Sequence, residues 1–237
     1  VTETADLFGD RDGAGNAGGR GLDAPAPDGF RYVSDFLQEA EERDLLSEVR
    51  TLPFNEVRMR GQVARRRTTH FGWLYGYESW RITPGPPIPA FLLPLRDRVA
   101  GLLGVPPGDL AEVLVTEYLS GAGIGWHRDA PMFGDVAGIS LLGPCRFRFR
   151  RERDGIRQTR DLTLAPRSAY VLAGAARWQW QHSIPPGRSP RYSITFRTLR
   201  DPGSRAGRGR GADRRGGHGK NPGTPGSGAL QCARPGA

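Results

Sequence analysis

The chain has 237 residues, 37% of them hydrophobic, enough for one domain of ordinary size with a real core. Its 34 Lys and Arg against 25 Asp and Glu give a net charge of +9, a balance that favours polyanions. Two cysteines, Cys145 and Cys232, exclude a disulfide framework, and no stretch approaches the roughly 20 apolar residues that span a bilayer, so a soluble, cytoplasmic, monomeric protein is expected.

Residues 1–28 hold two arginines against six acids, a local charge of −4, with almost no large apolar side chain. Such a segment cannot bury enough surface to offset the entropy of ordering, and disorder is expected. Ser34 or Asp35 then stands where it can cap a helix over 38–50, with Leu45, Leu46 and Val49 as its apolar stripe and acids crowding its first turn. The run "ARRRTTHFGWLYGYESW", 64–80, interleaves Arg65, Arg66 and Arg67 with Phe71, Trp73, Tyr75, Tyr77 and Trp80. Cations suit phosphates and flat rings suit an unstacked base, so the run fits a single strand or a flipped nucleotide; the competing reading is a hairpin whose aromatics alternate into the core. His70 within it reads as a surface or lid residue. A second helix is expected from Pro89 or Pro94 to Leu103, burying Leu95, Val99, Leu102 and Leu103 and stopping at Gly104.

After Gly104 the pattern changes to short runs rich in Val, Ile, Phe, Tyr and Thr between Gly and Pro turns. Strands are predicted over 112–119, 138–142, 145–150, 161–164, 169–172, 177–182 and 191–199. Helices followed by seven or eight short strands predict an α+β, mainly β fold, a β-sandwich or jelly roll with flanking N-terminal helices. Residues 201–237 return to Gly, Pro and Arg with a charge of +5, leaving +8 on 29–200; the tail, with His218 and Cys232, is expected to be disordered and solvated.

The candidate chemistry begins at "GWHRDAP". A period of two places His127 and Asp129 on one side of an extended segment, and His182 ends a later strand. Two imidazoles and a carboxylate on one face of an ion describe the ferrous facial triad, which leaves positions open for a chelating cosubstrate and dioxygen. The competing reading is ordinary hydrogen-bonded histidines. Trp126 and Arg128, flanking His127, read as packing and surface residues. In "RYSITFRTLR" the residues Arg191, Ser193, Thr195 and Arg197 share one face, opposite Tyr192, Ile194 and Phe196. If the apolar face packs inward, the arginines look into the mouth of the barrel, where a dicarboxylate would compensate them bidentately; otherwise they are solvated on an exposed strand.

The combination "EYLSGAGIGWHRD … H … RYSITFR" resembles the AlkB-like Fe(II)/2-oxoglutarate-dependent dioxygenases over roughly 29–200. That resemblance implies a double-stranded β-helix (jelly roll) and an enzyme that uses Fe(II), 2-oxoglutarate and O2. By position, His127, Asp129 and His182 correspond to the iron ligands. Arg191 corresponds to the partner of the distal 2-oxoglutarate carboxylate, Arg197 to the second arginine nearer the metal, and Tyr118 to the tyrosine that hydrogen-bonds the cosubstrate. Thr116 and Ser193 stand where many members have asparagine. The run 58–80 is similar to the family's nucleotide-recognition lid, with Arg67, Phe71 and Tyr75 as the expected substrate contacts. The implied activity is oxidative demethylation of N-alkylated bases in nucleic acid, releasing formaldehyde and succinate. The alternatives are the same chemistry on a protein or small molecule, or a non-enzymatic basic nucleic-acid-binding module. Several nucleic-acid dealkylases of the family carry an acid two positions after the metal-binding aspartate; here that position is Pro131, leaving Asp135 to reach inward from the next loop.

Overall fold

The computed structural model describes residues 25–59, 62–76 and 81–200. Of the expected disordered segments, 1–24 and 201–237 lie outside the described residues, as do the lid residues Tyr77 and Trp80; residues 25–28 are instead held in place, Asp28 O accepting from Ala176 N–H and Pro25 O from Arg160 Nε.

The first elements are strand β1 (Phe30–Val33) and helix α1 (Glu39–Val49). Ser34 and Asp35 do not cap α1: they form a turn in which Asp35 takes φ 50°, and Gln38 is the cap. Its backbone N–H donates to Glu41 Oε2 at 2.7 Å, the reciprocal half of a capping box, and Glu39, Glu41 and Glu42 favour the positive end of the helix dipole. Strands β2 (Asn55–Met59), β3 (Gln62–Gly76) and β4 (Arg81–Pro84) follow, then helix α2 (Leu93–Leu103), opened by a proline and closed by Gly104 at φ 73°.

Eight further strands complete the chain: β5 (Leu110–Tyr118), β6 (Ile124–His127), β7 (Phe133–Leu141), β8 (Cys145–Arg153), β9 (Ile156–Leu164), β10 (Ala169–Leu172), β11 (Gln181–Ile184) and β12 (Arg191–Leu199). They divide between two antiparallel sheets. The larger runs β1-β10-β7-β12-β5-β3-β2, with β4 on β3, and the smaller runs β6-β11-β8-β9. Successive strands from β5 to β12 thus cross repeatedly between sheets, which is the jelly-roll topology expected from the sequence. The expected strand at 177–182 is instead a short helix, α3 (Gly174–Trp178), followed by β11. The alternating tryptophans of "RWQWQ" imitate a strand, but Ala176 N–H donates to Asp28 O and the Arg177 side chain is drawn into the loop after β6.

Two apolar clusters flank the larger sheet. On one side α1 and α2 press Leu46, Val49, Leu95 and Val99 against Val113, Val115, Ile139, Ile194 and Phe196. On the other, Val136, Tyr170 and Leu172 meet Phe147, Phe149 and Ile184 of the smaller sheet. Period-two alternation therefore sends the apolar residues of β12 toward the helices and Arg191, Ser193, Thr195 and Arg197 into the space between the sheets.

Candidate metal centre and its cavity

That space is a cavity of about 180 Å³. Antiparallel pairing of β6 with β11 sets His127 directly opposite His182, with ring centroids 4.2 Å apart. β6 stops at His127, so Asp129 reaches the site from the loop beyond it rather than from a strand. One ligand atom from each of His127, Asp129 and His182 lies within 4.8 Å of the other two.

The surroundings prepare all three for a cation. His127 Nδ1–H donates to Gly125 O at 2.9 Å; a carbonyl only accepts, so Nε2 is left with its lone pair. Burial pushes the His182 imidazole down to about 3, with the charge of His127 acting in the same direction, and burial also lowers His127. Both are therefore neutral, the state in which an imidazole binds metal. Burial acts to raise the Asp129 carboxyl, but Arg197, His182 and Arg177 outweigh it and hold the group well below the carboxylate range. Arg197 donates from Nη2 and Nε to Asp129 Oδ1 at 2.6 and 3.1 Å, leaving Oδ2 buried, without a hydrogen-bond partner and 3.6 Å from His182 Nε2. An ion-binding oxygen kept clear of other donors fits the group.

Pairing across the larger sheet places side chains in rows facing the cavity. Arg191 lies opposite Tyr118, which lies opposite Arg66 of β3; Ser193, Thr116 and Thr68 form the next row. The Arg191 guanidinium is buried 4.6 Å from the Tyr118 ring and donates from Nη2 to Ser140 Oγ at 3.1 Å, while its Nε and Nη1 have no partner. Two buried charged donors without an acceptor are costly and call for an anion. Tyr118, Thr116, Ser193 and Arg191 thus surround one end of the cavity. Arg197, at the other end, is also paired with Glu112 Oε2 at 2.6 Å, so it braces the metal site through Asp129 and is already compensated.

Several expected contacts move. Arg67 points away from the cavity, pairing with Glu117 at 2.6 Å, and Phe71 is 7% exposed in the core beneath the helices. Tyr75 stands edge-on to Phe133 at 6.5 Å and is not part of the lining. The cavity-facing residues of β3 are instead Arg66, Thr68 and His70. His70 lines the cavity while its side chain stays partly exposed, and its Nδ1 lies 3.0 Å from Glu112 Oε1. Asp135 is half-buried outside the lining, and Arg128 is exposed, as expected, while also reaching the rim of the cavity. Sequence reasoning also missed Arg177, which donates to the carbonyls of Ala130, Phe133 and Gly134 at 2.9, 2.9 and 2.8 Å and so pins the loop that carries Asp129.

Comparison with known proteins agrees with this geometry. Residues 29–198 match the family model described as the 2OG-Fe(II) oxygenase superfamily. An Arabidopsis thaliana alkylated DNA repair protein ALKBH8 homolog is 29% identical over 209 residues, covering 73% of this chain and 59% of the relative. The Mus musculus tRNA (carboxymethyluridine(34)-5-O)-methyltransferase ALKBH8 is 28% identical over 171 residues, covering 70% of this chain and 25% of the relative. The chain thus spans less than two thirds of the first and about a quarter of the second. Among solved structures, OsALKBH1 superposes with a TM-score of 0.59 at 16% identity, covering 75% of this chain and all of that one, a likeness of fold.

Proposed function

We propose that this chain, which belongs to the 2OG-Fe(II) oxygenase superfamily as an AlkB-like member, oxidises alkyl groups on the bases of nucleic acid. Membership makes it an oxidoreductase that uses Fe(II), 2-oxoglutarate and O2, which sets aside the reading as a non-enzymatic binding module. In our reading His127, Asp129 and His182 hold the iron, and Arg191, with Tyr118, Thr116 and Ser193, receives the diacid. Bound there, the iron and its cosubstrate supply the oxidising power that removes hydrogen from a substrate C–H, and a hydroxylated N-methyl group breaks down to formaldehyde and the free amine. The protein's share is placement: Gly125 O fixes the His127 tautomer, Arg197 fixes Asp129, and Phe147 stacks 5.4 Å from His182.

The observation that carries the nucleic-acid reading is that the face of β3 bearing Arg66, Thr68 and His70 lines the same cavity as the metal centre, together with Arg128. Cations lining the cavity suit a phosphate-bearing substrate, and a relative is named for repair of alkylated DNA. Among the described residues the lining holds one carboxylate, Asp129, and it is committed to the ligand set and Arg197. A cationic base finds no counter-charge there, so an uncharged alkylated base is the favoured substrate.

Formaldehyde and succinate released from methylated DNA and RNA oligonucleotides, bearing cationic and uncharged lesions, test the proposal. Coupled release by the native protein, lost in Asp129→Ala while oligonucleotide affinity stays within a few-fold, is expected because that change removes a metal ligand and no entrance residue. Succinate formed with a protein or small-molecule acceptor, but with no oligonucleotide, would replace the substrate class and keep the chemistry.

A further inference from the structure

The cavity holds a histidine–carboxylate pair that neither the metal centre nor the diacid end uses. The registers on the two sides of β5 place it: Arg66 and Arg191 flank Tyr118, Thr68 and Ser193 flank Thr116, and His70 and Thr195 flank Leu114. His70 therefore stands away from the diacid end, at the level next to Arg197, which holds Asp129. Its Nδ1 lies 3.0 Å from Oε1 of Glu112, whose side chain is 2% exposed behind the lining and whose Oε2 accepts from Arg197 Nη1 at 2.6 Å.

Burial acts to raise the Glu112 carboxyl, but Arg197 and His70 outweigh it and keep it ionised. An ionised carboxylate only accepts, so Nδ1 carries the hydrogen and the neutral ring keeps its lone pair on Nε2. The His70 side chain is 39% exposed and lines the cavity, and the part of the ring away from the buried carboxylate is the part a solute can reach. Among the described residues of the lining, the other proton-exchanging groups are committed or out of range. His127, Asp129 and His182 form the candidate metal centre, Tyr118 belongs to the diacid end, and burial pushes the Tyr170 phenol up. Guanidinium groups do not give up a proton in proteins. What remains is His70, an imidazole oriented by a carboxylate, the pairing that serves proton transfer.

We propose that His70, oriented by Glu112, is a catalytic acid–base residue that breaks down the hydroxylated N-methyl group of an uncharged base. The inference rests on the function proposed above and adds the step that follows hydroxylation. A hydroxymethyl group on the ring nitrogen of a cationic base leaves readily, because breaking its C–N bond returns a neutral ring. On an uncharged exocyclic amine the same cleavage puts negative charge on nitrogen unless a proton arrives there. Nε2 takes the hydroxyl proton, the O–H electron pair becomes the second C–O bond of formaldehyde as the C–N bond breaks, and the imidazolium hands the same proton to the amine nitrogen. Atoms and charge balance, nothing is oxidised or reduced, and His70 ends neutral. Glu112 stabilises the transient imidazolium through Nδ1–H.

The test needs no iron. An oligonucleotide bearing an exocyclic amine, given its hydroxymethyl group by formaldehyde, is followed by mass as that group is lost in the presence of the full-length protein. General acid–base catalysis contributes about 10²–10⁴-fold, so native protein should shorten the lifetime of the bound species by about 10²-fold or more. His70→Asn, which keeps a donor toward Glu112 but lacks the cavity-side nitrogen, should lose that acceleration, and added imidazole should restore it in His70→Ala. With iron and 2-oxoglutarate, on the N-methylated oligonucleotide, the variant should release a larger share of product one oxygen heavier than the substrate for each succinate formed. Equal lifetimes with native and His70→Asn protein, while the native protein still yields succinate and formaldehyde, overturn the role of His70 and leave the nucleic-acid reading standing. A variant that no longer binds the oligonucleotide, or a His70→Ala protein indifferent to imidazole, overturns it in favour of a binding role. Native protein that forms succinate only with an acceptor other than nucleic acid overturns both readings together.

Discussion

Replacing Arg191 with methionine should stabilise the ligand-free protein while abolishing its response to 2-oxoglutarate. The Arg191 side chain is buried, spends one donor on Ser140, and leaves Nε and Nη1 without partners. Each buried, unmet donor costs about 1–3 kcal/mol, so the empty site carries about 2–6 kcal/mol of strain; methionine relieves it and forfeits about 1 kcal/mol of hydrogen bonding to Ser140. The variant should therefore unfold at the same or higher urea concentration, by up to about 3 kcal/mol after allowing for imperfect packing. A carboxylate reverses the sign. Two charge-assisted hydrogen bonds at about 1.5–3 kcal/mol each amount to about 3–6 kcal/mol, or about 10²- to 10⁴-fold in affinity for the diacid. Urea unfolding of metal-free native and variant protein, with and without 2-oxoglutarate, reads both effects. At 100 times its dissociation constant the diacid should stabilise the native protein by about 2.7 kcal/mol and leave the variant unmoved. A variant that unfolds much more readily, or that gains as much from the diacid, would refute the reasoning, because the two donors would then not be unmet in the free protein or the diacid would bind elsewhere.

Two further changes probe the support of the metal centre. Burial acts to raise the Glu112 carboxyl, but Arg197 and the hydrogen bond from His70 outweigh it and hold it below the ordinary 4.5. A depressed carboxylate contributes stability that is complete above its unfolded value and is lost as pH falls through the lower folded value. Glu112→Gln should therefore cost about 3–5 kcal/mol near neutrality and flatten the stability curve below about pH 4.5, where the native protein loses stability; parallel native and variant curves in acid urea titrations would show that the pairing with Arg197 and His70 contributes nothing. Arg177 acts as a positioning residue through the loop of Asp129. Arg177→Met should weaken ferrous binding by about 10- to 100-fold, as loss of a group supporting a ligand does, read by anaerobic metal titration alongside a near-native far-UV spectrum. Unaltered metal affinity would reduce Arg177 to packing.

β12 could be read from its sequence because its two faces differ chemically at every step, so period two alone assigns Tyr192, Ile194 and Phe196 inward and the arginines to the cavity. The metal-binding candidates could be read because histidine is scarce: four in the chain, two of them at the site. β3 could not. Arg65, Arg66 and Arg67 put a cation on both faces, and only pairing with β5, which sets Arg66 against Tyr118 and Arg67 against Glu117, decides which one faces the cavity. The same register sends His70 to the cavity lining and Phe71, the expected substrate contact, beneath the helices. The expected strands 145–150 and 161–164 cover only the base of the β8–β9 hairpin. Its turn, Asp154-Gly155, with φ 54° and 72°, is a local signal for a tight hairpin, but the strands beside it, "RRER" and "IRQTR", alternate too weakly to show a buried face. α3 is decided by partners distant in sequence, Asp28 and the loop 130–134, which no local pattern encodes.

The two arginines of β12 share a strand and a face but not a fate. Arg197 meets two carboxylates, Glu112 and Asp129, so its end of the cavity holds more negative than positive charge on these three groups. Arg191 meets a hydroxyl and a ring, so its end holds positive charge alone. A cation is therefore favoured at the end where the histidines converge and an anion at the other. Because the strand is held on both sides, by β5 and β7, neither arginine can relax toward water without breaking the sheet. The polarity of the cavity is thus a property of the fold before any ligand binds, and under the proposed function it would orient a diacid with one carboxylate at Arg191 and the other toward the histidines.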